Sequence, residues 1–256
     1  MRSFIAFTKK ELTEQFRTYK FWVTAAVFLL LGIMNPAVAK LTPLLLEFLK
    51  DAMAESGMTI TVVSVSALDS WVQFFKNMPI GIIVFILIEG SLFTKEYSKG
   101  TLILSLTRGL ERYKVILSKS GVLLALWSLY FWSSYVITYL INILFWDNSV
   151  AQNLALSAVC WWLFGIFAVS LITLFSVIFT SYTGVLLGMG GAVLVSATVG
   201  LLPKVNKFMP SFLTDGNSLI YGVNGAEEYI PAIIVTCLLT LICFAVSIPL
   251  FNKKQL

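Results

Sequence analysis

The chain has no histidine and only three cysteines in 256 residues, and charged residues make up 12% of it. Without histidine, imidazole acid/base catalysis and the commonest zinc ligand are excluded. Cys160, Cys237 and Cys243 lie within apolar runs without metal-ligand spacing, so neither a disulfide framework nor a metal site is expected. Soluble domains carry about 25% charged residues. Here 58% of residues are hydrophobic and the mean hydropathy is +0.89, more apolar surface than a soluble core of this size can bury. The net charge of +5 does not point to nucleic acid, because the basic residues fall at the ends of apolar runs and no soluble basic domain exists to carry a binding face.

What is present is a series of apolar runs. A helix crossing a hydrocarbon core of about 30 Å needs ~20 apolar residues, because backbone polar groups must be satisfied within the segment. Six spans are expected, at about 21–39, 78–93, 120–145, 154–180, 184–202 and 229–251, the first closed by Asn35-Pro36 and Lys40. The fold class is an all-α membrane protein of a single transmembrane domain, 1–256.

Orientation follows from the distribution of Lys and Arg, which cytoplasmic segments retain. Arg2, Lys9, Lys10, Arg17 and Lys20 precede the first span. Lys95, Lys99, Arg108, Arg112, Lys114 and Lys119 follow the second, and Lys253 and Lys254 end the chain. The other side holds Lys40, Lys50, Lys76, Lys204 and Lys207. Both termini and 94–119 are therefore expected in the cytoplasm.

Residues 1–20 read as an interfacial amphipathic helix, with Ile5, Leu12, Phe16 and Tyr19 at helical spacing and charged residues between or opposite them. Ala37-Val38-Ala39 resembles a signal-peptide cleavage site, but acidic Glu11 and Glu14 in a long leader are atypical of such signals, and the leader is expected to stay attached. Of the two outer segments, Thr42 to Asn77 reads as two short amphipathic pieces around a β-prone stretch, Met58 to Val65. Pro203 to Glu228 is read as either surface loop or re-entrant structure.

No G-x-x-x-x-G-K-[ST] phosphate loop occurs, so ATP hydrolysis by that route is not expected. Gly188-Met189-Gly190-Gly191 lacks the βαβ context of a dinucleotide site, and Gly184 and Gly188 form a small-xxx-small pair suited to close helix packing. Glu89 is the one carboxylate well inside an apolar run, a functional candidate by default, although it can also reach water or a loop cation such as Lys95. In the third span Trp127 lies deeper than an interfacial belt, and Ser134, Thr138 and Asn142 share one face at i, i+4, i+8 spacing. That face is either part of a translocation path or a bundle contact with interhelical hydrogen bonds.

The segment Thr94 to Lys119 is amphipathic, carries both charge signs, and is broken by Gly100 and Gly109. Such a short helix–turn–helix suits docking into another protein's groove; an ordinary loop held near anionic headgroups is the simpler alternative. The order Glu96, Gly100-Thr101, Leu102 to Leu106, Arg112, Lys119 resembles the corresponding segment of the ABC type-2 permeases, the membrane subunits of bacterial ATP-binding-cassette exporters. The leader Phe7-Thr8-Lys9-Lys10-Glu11-Leu12, the stretch Asp69-Ser70-Trp71 through Asn77, and the six-span layout extend the likeness over the whole chain. It departs at Arg108-Gly109, where many members have a proline.

The resemblance implies a multi-pass protein of the bacterial plasma membrane and a transporter of two permeases and two nucleotide-binding subunits. Glu96, Gly100, Thr101, Arg112 and Lys119 would couple to the ATPase. The chain itself would hold no cofactor, with ATP and Mg on the partner subunit, and its other partners would be a second or homologous permease and membrane lipid. The cargo would be hydrophobic or amphipathic: an antimicrobial peptide, a drug or a lipid. Two readings stand beside it, a proton- or ion-coupled transporter using Glu89 and a membrane immunity protein that does not transport. An intramembrane enzyme finds little support without histidine or paired buried carboxylates.

Overall fold

The computed structural model describes residues 2–55, 65–107, 109–200 and 202–254. Among them there is no strand. Six helices are long and apolar enough to cross a membrane: Lys20–Leu45, Ala67–Tyr97, Arg112–Phe145, Leu154–Ile178, Tyr182–Gly200 and Ala226–Lys253. The helices proper are α1 (Arg2–Arg17), α2 (Lys20–Glu55), α3 (Ala67–Glu89), α4 (Thr94–Lys99), α5 (Thr101–Thr107), α6 (Arg112–Phe145), α7 (Leu154–Ile178), α8 (Tyr182–Gly200), α9 (Pro203–Asn206), α10 (Gly216–Ile220) and α11 (Ile230–Lys253). Three 3-10 turns, Asn148–Val150, Pro210–Thr214 and Ala226–Tyr229, complete the connections.

Two boundaries differ from the sequence expectation. The first span does not close at Asn35-Pro36; α2 runs on through Pro36 and Pro43, absorbing Leu44 and Phe48 of the expected outer pieces. A proline removes one helical donor and strips the carbonyl four residues earlier of its partner. For Pro36 that carbonyl is Gly32, and the Thr138 hydroxyl donates to it at 2.9 Å. A neighbouring helix thus restores what the proline removes, as a low-dielectric environment requires. Ala39, the last residue of the stretch that resembles a cleavage site, is buried within this helix. The second span begins earlier than Met78. Ser66 opens a capping box with Asp69, which satisfies free N–H groups at the helix start, and Trp71, Phe74 and Phe75 form its buried first turns. Residues 58–64 of the β-prone stretch lie outside the described residues.

Helix α6 is the spine. Its 34 residues span about 50 Å at ~1.5 Å per residue, and it packs against α1, α2, α3, α7 and α11. Helix α2 packs on α3 and α6, and α7 packs most extensively on α11. Lipid offers little hydrophobic drive for helix association, so close packing of small residues and ring contacts must supply it. Gly165 of α7 lies directly under the Trp127 indole, where any Cβ would overlap the ring. Gly184 and Gly188 of α8 rest against the rings of Phe179 and Phe175. Even so, α8 is the least enclosed span, with 12% of its most apolar window buried against 61% for α6.

The segment 203–229 folds back onto the helix ends. Gly216 abuts the Phe75 ring, Ser157 Oγ donates to the Gly216 carbonyl at 3.4 Å, and the Tyr229 and Phe212 rings pack at a tilt of 33° with centroids 4.6 Å apart. Leu213, Leu219 and Cys160 are buried in this small core.

Candidate functional site: a buried ionic elbow

At the end of the bundle where α6 begins, α3 breaks at Gly90 and the chain turns through 90–93 into α4. Gly100 then adopts φ +63 and its N–H bonds the Tyr97 carbonyl at 3.3 Å, a left-handed helix terminus that glycine adopts without strain. Helix α5 returns to a second glycine, Gly109, at φ +85, and α6 starts at Arg112. The elbow is fastened by charge. Lys119, on the second turn of α6, is fully buried and lies 2.8 Å from Glu11 of α1 and 3.0 Å from Glu96 of α4. It also donates to the Leu92 carbonyl at 3.1 Å. Lys10 pairs with Glu96 and, at 3.2 Å, with Glu11. Two cations thus face two carboxylates with their charges balanced, the condition under which buried ions are tolerated.

Around this core, Lys95 pairs with Glu14 at 3.2 Å, and the Thr8 and Ser118 hydroxyls share a hydrogen bond of 2.8 Å. Burial would raise the Glu14 carboxyl, but the hydrogen bond and field of Lys95 outweigh it and hold the group below its usual value. Burial would likewise lower Lys10, and its bonds to Glu96 and Glu11 prevail and raise it. Both directions favour the ionised network. Glu11, Glu14 and Glu96 lie close enough to suggest a cation site, but lysines already occupy the positions an ion would take.

Glu96 and Lys119, singled out from sequence, are therefore brought into direct contact. Gly100 makes the turn between α4 and α5, and Thr101 opens α5. Arg112 lies elsewhere on the elbow. Its Nη1 donates to the carbonyls of Phe251, Asn252 and Lys254 at 2.9, 3.2 and 2.6 Å, where a cation complements the exposed carbonyls of a helix C-terminus. Lys254 in turn donates to the Val177 carbonyl at 2.5 Å. The basic residues tie together the ends of α1, α3, α6, α7 and α11.

Glu89 does not reach Lys95, which is taken by Glu14. It is fully buried, accepts from Gln15 Nε2 at 2.6 Å, and leaves Oε1 without a partner among the described residues. Lys20 is close by, bonded to the Ile88 carbonyl and the Ser91 hydroxyl, each at 2.8 Å. Trp127, Ser134, Thr138 and Asn142 are all fully buried. Trp127 donates to the Trp162 carbonyl at 3.0 Å and packs among Phe28, Phe85 and Phe131, and Thr138 bonds Gly32. The Ser134 hydroxyl and both amide atoms of Asn142 on the same face have no hydrogen-bond partner among the described residues. An apolar cavity of about 300 Å³ lies elsewhere, between α3, α7 and α8, lined in part by Ile82, Ile86, Phe164, Ala168 and Met189.

Sequence reasoning missed Glu11 and Gln15. The signal was there: Phe7, Glu11 and Gln15 recur at i, i+4, i+8 and are all buried, while Ile5, Leu12, Phe16 and Tyr19 point outward. The polar stripe, not the apolar one, faces the protein. Comparison of the chain with protein-family models, curated proteins and solved structures finds no match.

Proposed function

We propose that the chain is the membrane-spanning permease subunit of an ATP-binding-cassette exporter, acting with a separate nucleotide-hydrolysing subunit and a second permease. The observation that carries this reading is the elbow. A two-helix hairpin, α4–α5, is held on the spine helix by the buried Glu11–Lys119–Glu96 bridge and presents Ile103 and Thr107 outward. Rigid attachment is what a lever needs if a partner's motion is to reach the membrane helices. The hairpin sits at the bundle end that gathers most of the lysines and arginines, which supports a cytoplasmic position for it and for both termini. The outward apolar stripe of α1 fits an interfacial position beside lipid headgroups. The apolar cavity beside the loosely packed α8 suits a hydrophobic or amphipathic cargo, and a bacterial plasma membrane suits the whole. Purification of the tagged chain from its native membranes, with mass spectrometry and ATPase assay, tests this. A co-purifying protein with a phosphate-loop ATPase domain and vanadate-sensitive activity is expected. A preparation that transports its cargo yet contains neither contradicts it.

One observation favours a second reading. Glu89, with an unpartnered buried oxygen beside Gln15 and Lys20, has the surroundings of a proton-binding carboxylate. Coupling to a proton gradient would then replace coupling to ATP, and Glu89→Gln would abolish transport.

A further inference from the structure

At the end of the bundle away from the elbow, α6 and α7 diverge and leave a groove of about 810 Å³ lined by Tyr135, Tyr139, Ile143, Trp146, Asp147 and Leu154, among others. Its volume falls in the range of small-molecule sites. One wall is aromatic and fixed. The Tyr135 and Tyr139 rings are near-parallel with centroids 6.3 Å apart, and Trp71 lies against Tyr135 at 5.0 Å. Trp71 Nε1 donates to Asn148 Oδ1 at 2.8 Å, and Asn148 Nδ2 donates to the Tyr139 carbonyl at 3.2 Å, so the turn carrying Asp147 is tied to the wall. Tyr139 remains 38% exposed.

The acidic member of the groove is Asp147. Its carboxylate accepts from the Ser149 hydroxyl at 2.6 Å and the Ser149 N–H at 2.9 Å, and it has no cationic partner among the described residues. Those two bonds hold it below its usual value, so it is ionised at neutral pH. Aromatic faces attract cations through their negative quadrupole. The same end of α6 already shows the effect: Lys40, the cation of the neighbouring helix, stands 3.2 Å from the centroid of the Phe145 ring. In the adjoining groove, aromatic faces and a carboxylate are present and no described residue supplies the cation.

We infer that this groove binds an amphipathic organic cation, its apolar body on Tyr135, Tyr139 and Trp146 and its positive charge beside Asp147. The inference rests on the permease reading only in making that cation a class of cargo; binding itself needs no ATPase.

Two ions of matched shape and opposite charge, tetraphenylphosphonium and tetraphenylborate, test it on the purified full chain in nonionic detergent. Equilibrium dialysis with empty micelles subtracted gives the binding. Saturable phosphonium binding is expected, with the borate about two- to fivefold weaker, the scale of an exposed cation–π contact. Asp147→Asn, which keeps the acceptor for Ser149, should weaken phosphonium binding several-fold. Tyr139→Leu should do the same, and the distant surface variant Lys9→Gln should not. Equal binding of the two ions, or phosphonium binding untouched by both groove variants, overturns the inference. Co-purification of an ATPase without phosphonium binding would leave the permease reading standing and remove this one; binding without any ATPase would do the reverse.

Discussion

The Thr138 hydroxyl donates at 2.9 Å to the carbonyl of Gly32, the group that Pro36, four residues on in the same helix, leaves without its helical donor. This contact explains how an apolar helix passes through a proline, and why a threonine lies buried in the third span. Thr138→Val should lower the detergent-solubilised protein's stability by about 1 kcal/mol, the scale of interhelical bonds in membranes, while Thr138→Ser should leave it nearly unchanged. Thermal unfolding of the two variants checks the pair, and equal melting temperatures would refute the assignment.

Gly165 faces the Trp127 indole with no room for a Cβ. Gly165→Ala must displace a fully buried ring whose Nε1 is bonded to Trp162, and overpacking of this kind costs about 1–3 kcal/mol. A lowered melting temperature is expected, together with a change in tryptophan emission as the indole moves.

The Glu14–Lys95 pair gives a pH signature. Glu14 is depressed in the folded protein, so its contribution is present above the usual value of 4.5 and fades as pH falls through the lower folded value. The difference in melting temperature between the protein and Glu14→Gln should therefore be largest near neutrality and close below about pH 4.5. Both side chains are a third exposed, so screening limits the effect to about 1 kcal/mol or less. A difference that grows on acidification would contradict the pairing.

Topology is open to labelling on a background in which Cys160, Cys237 and Cys243 are replaced. Val223 is 74% exposed at the far end of the bundle and Tyr113 is 40% exposed at the elbow. An impermeant maleimide applied to intact cells should modify Val223→Cys and spare Tyr113→Cys until the membrane is broken.

Much of this architecture was legible in the sequence, because hydrophobic run length is dictated by bilayer thickness and needs no tertiary information. The six helices follow from it, and the break at Gly100 was readable from the glycine itself. The helix boundary at Pro36 was misread for a tertiary reason: a proline ends a helix unless another helix supplies the lost bond, and Thr138 lies 106 residues away from Gly32. The start before Met78 was missed for a local one, the Ser66–Asp69 capping box. The elbow was visible in part. Glu96 and Lys119 stood out by their pattern, but Glu11 was hidden because a charged residue on an amphipathic helix is ordinarily assigned to water. The recurrence of Phe7, Glu11 and Gln15 marks a second face of α1, and contact with α6 shows that it is the buried one. The polar stripe of Ser134, Thr138 and Asn142 was readable as one face with bundle contact among its readings, and the particular acceptor, the Gly32 carbonyl, was not.

The central claim, that the elbow transmits the motion of an ATPase to the membrane helices, is tested most directly by charge reversal within it. Glu96→Lys places a third cation beside Lys10 and Lys119 without touching a lipid-facing surface, and disrupting a buried hydrogen-bonded charge pair costs about 2–5 kcal/mol. ATPase activity and cargo export should be measured in reconstituted vesicles for this variant and for Glu89→Gln. The account predicts that Glu96→Lys inserts and purifies but loses cargo-stimulated ATPase activity and export, while Glu89→Gln retains both. Export that survives Glu96→Lys, runs on a pH gradient without ATP, and disappears in Glu89→Gln would contradict it.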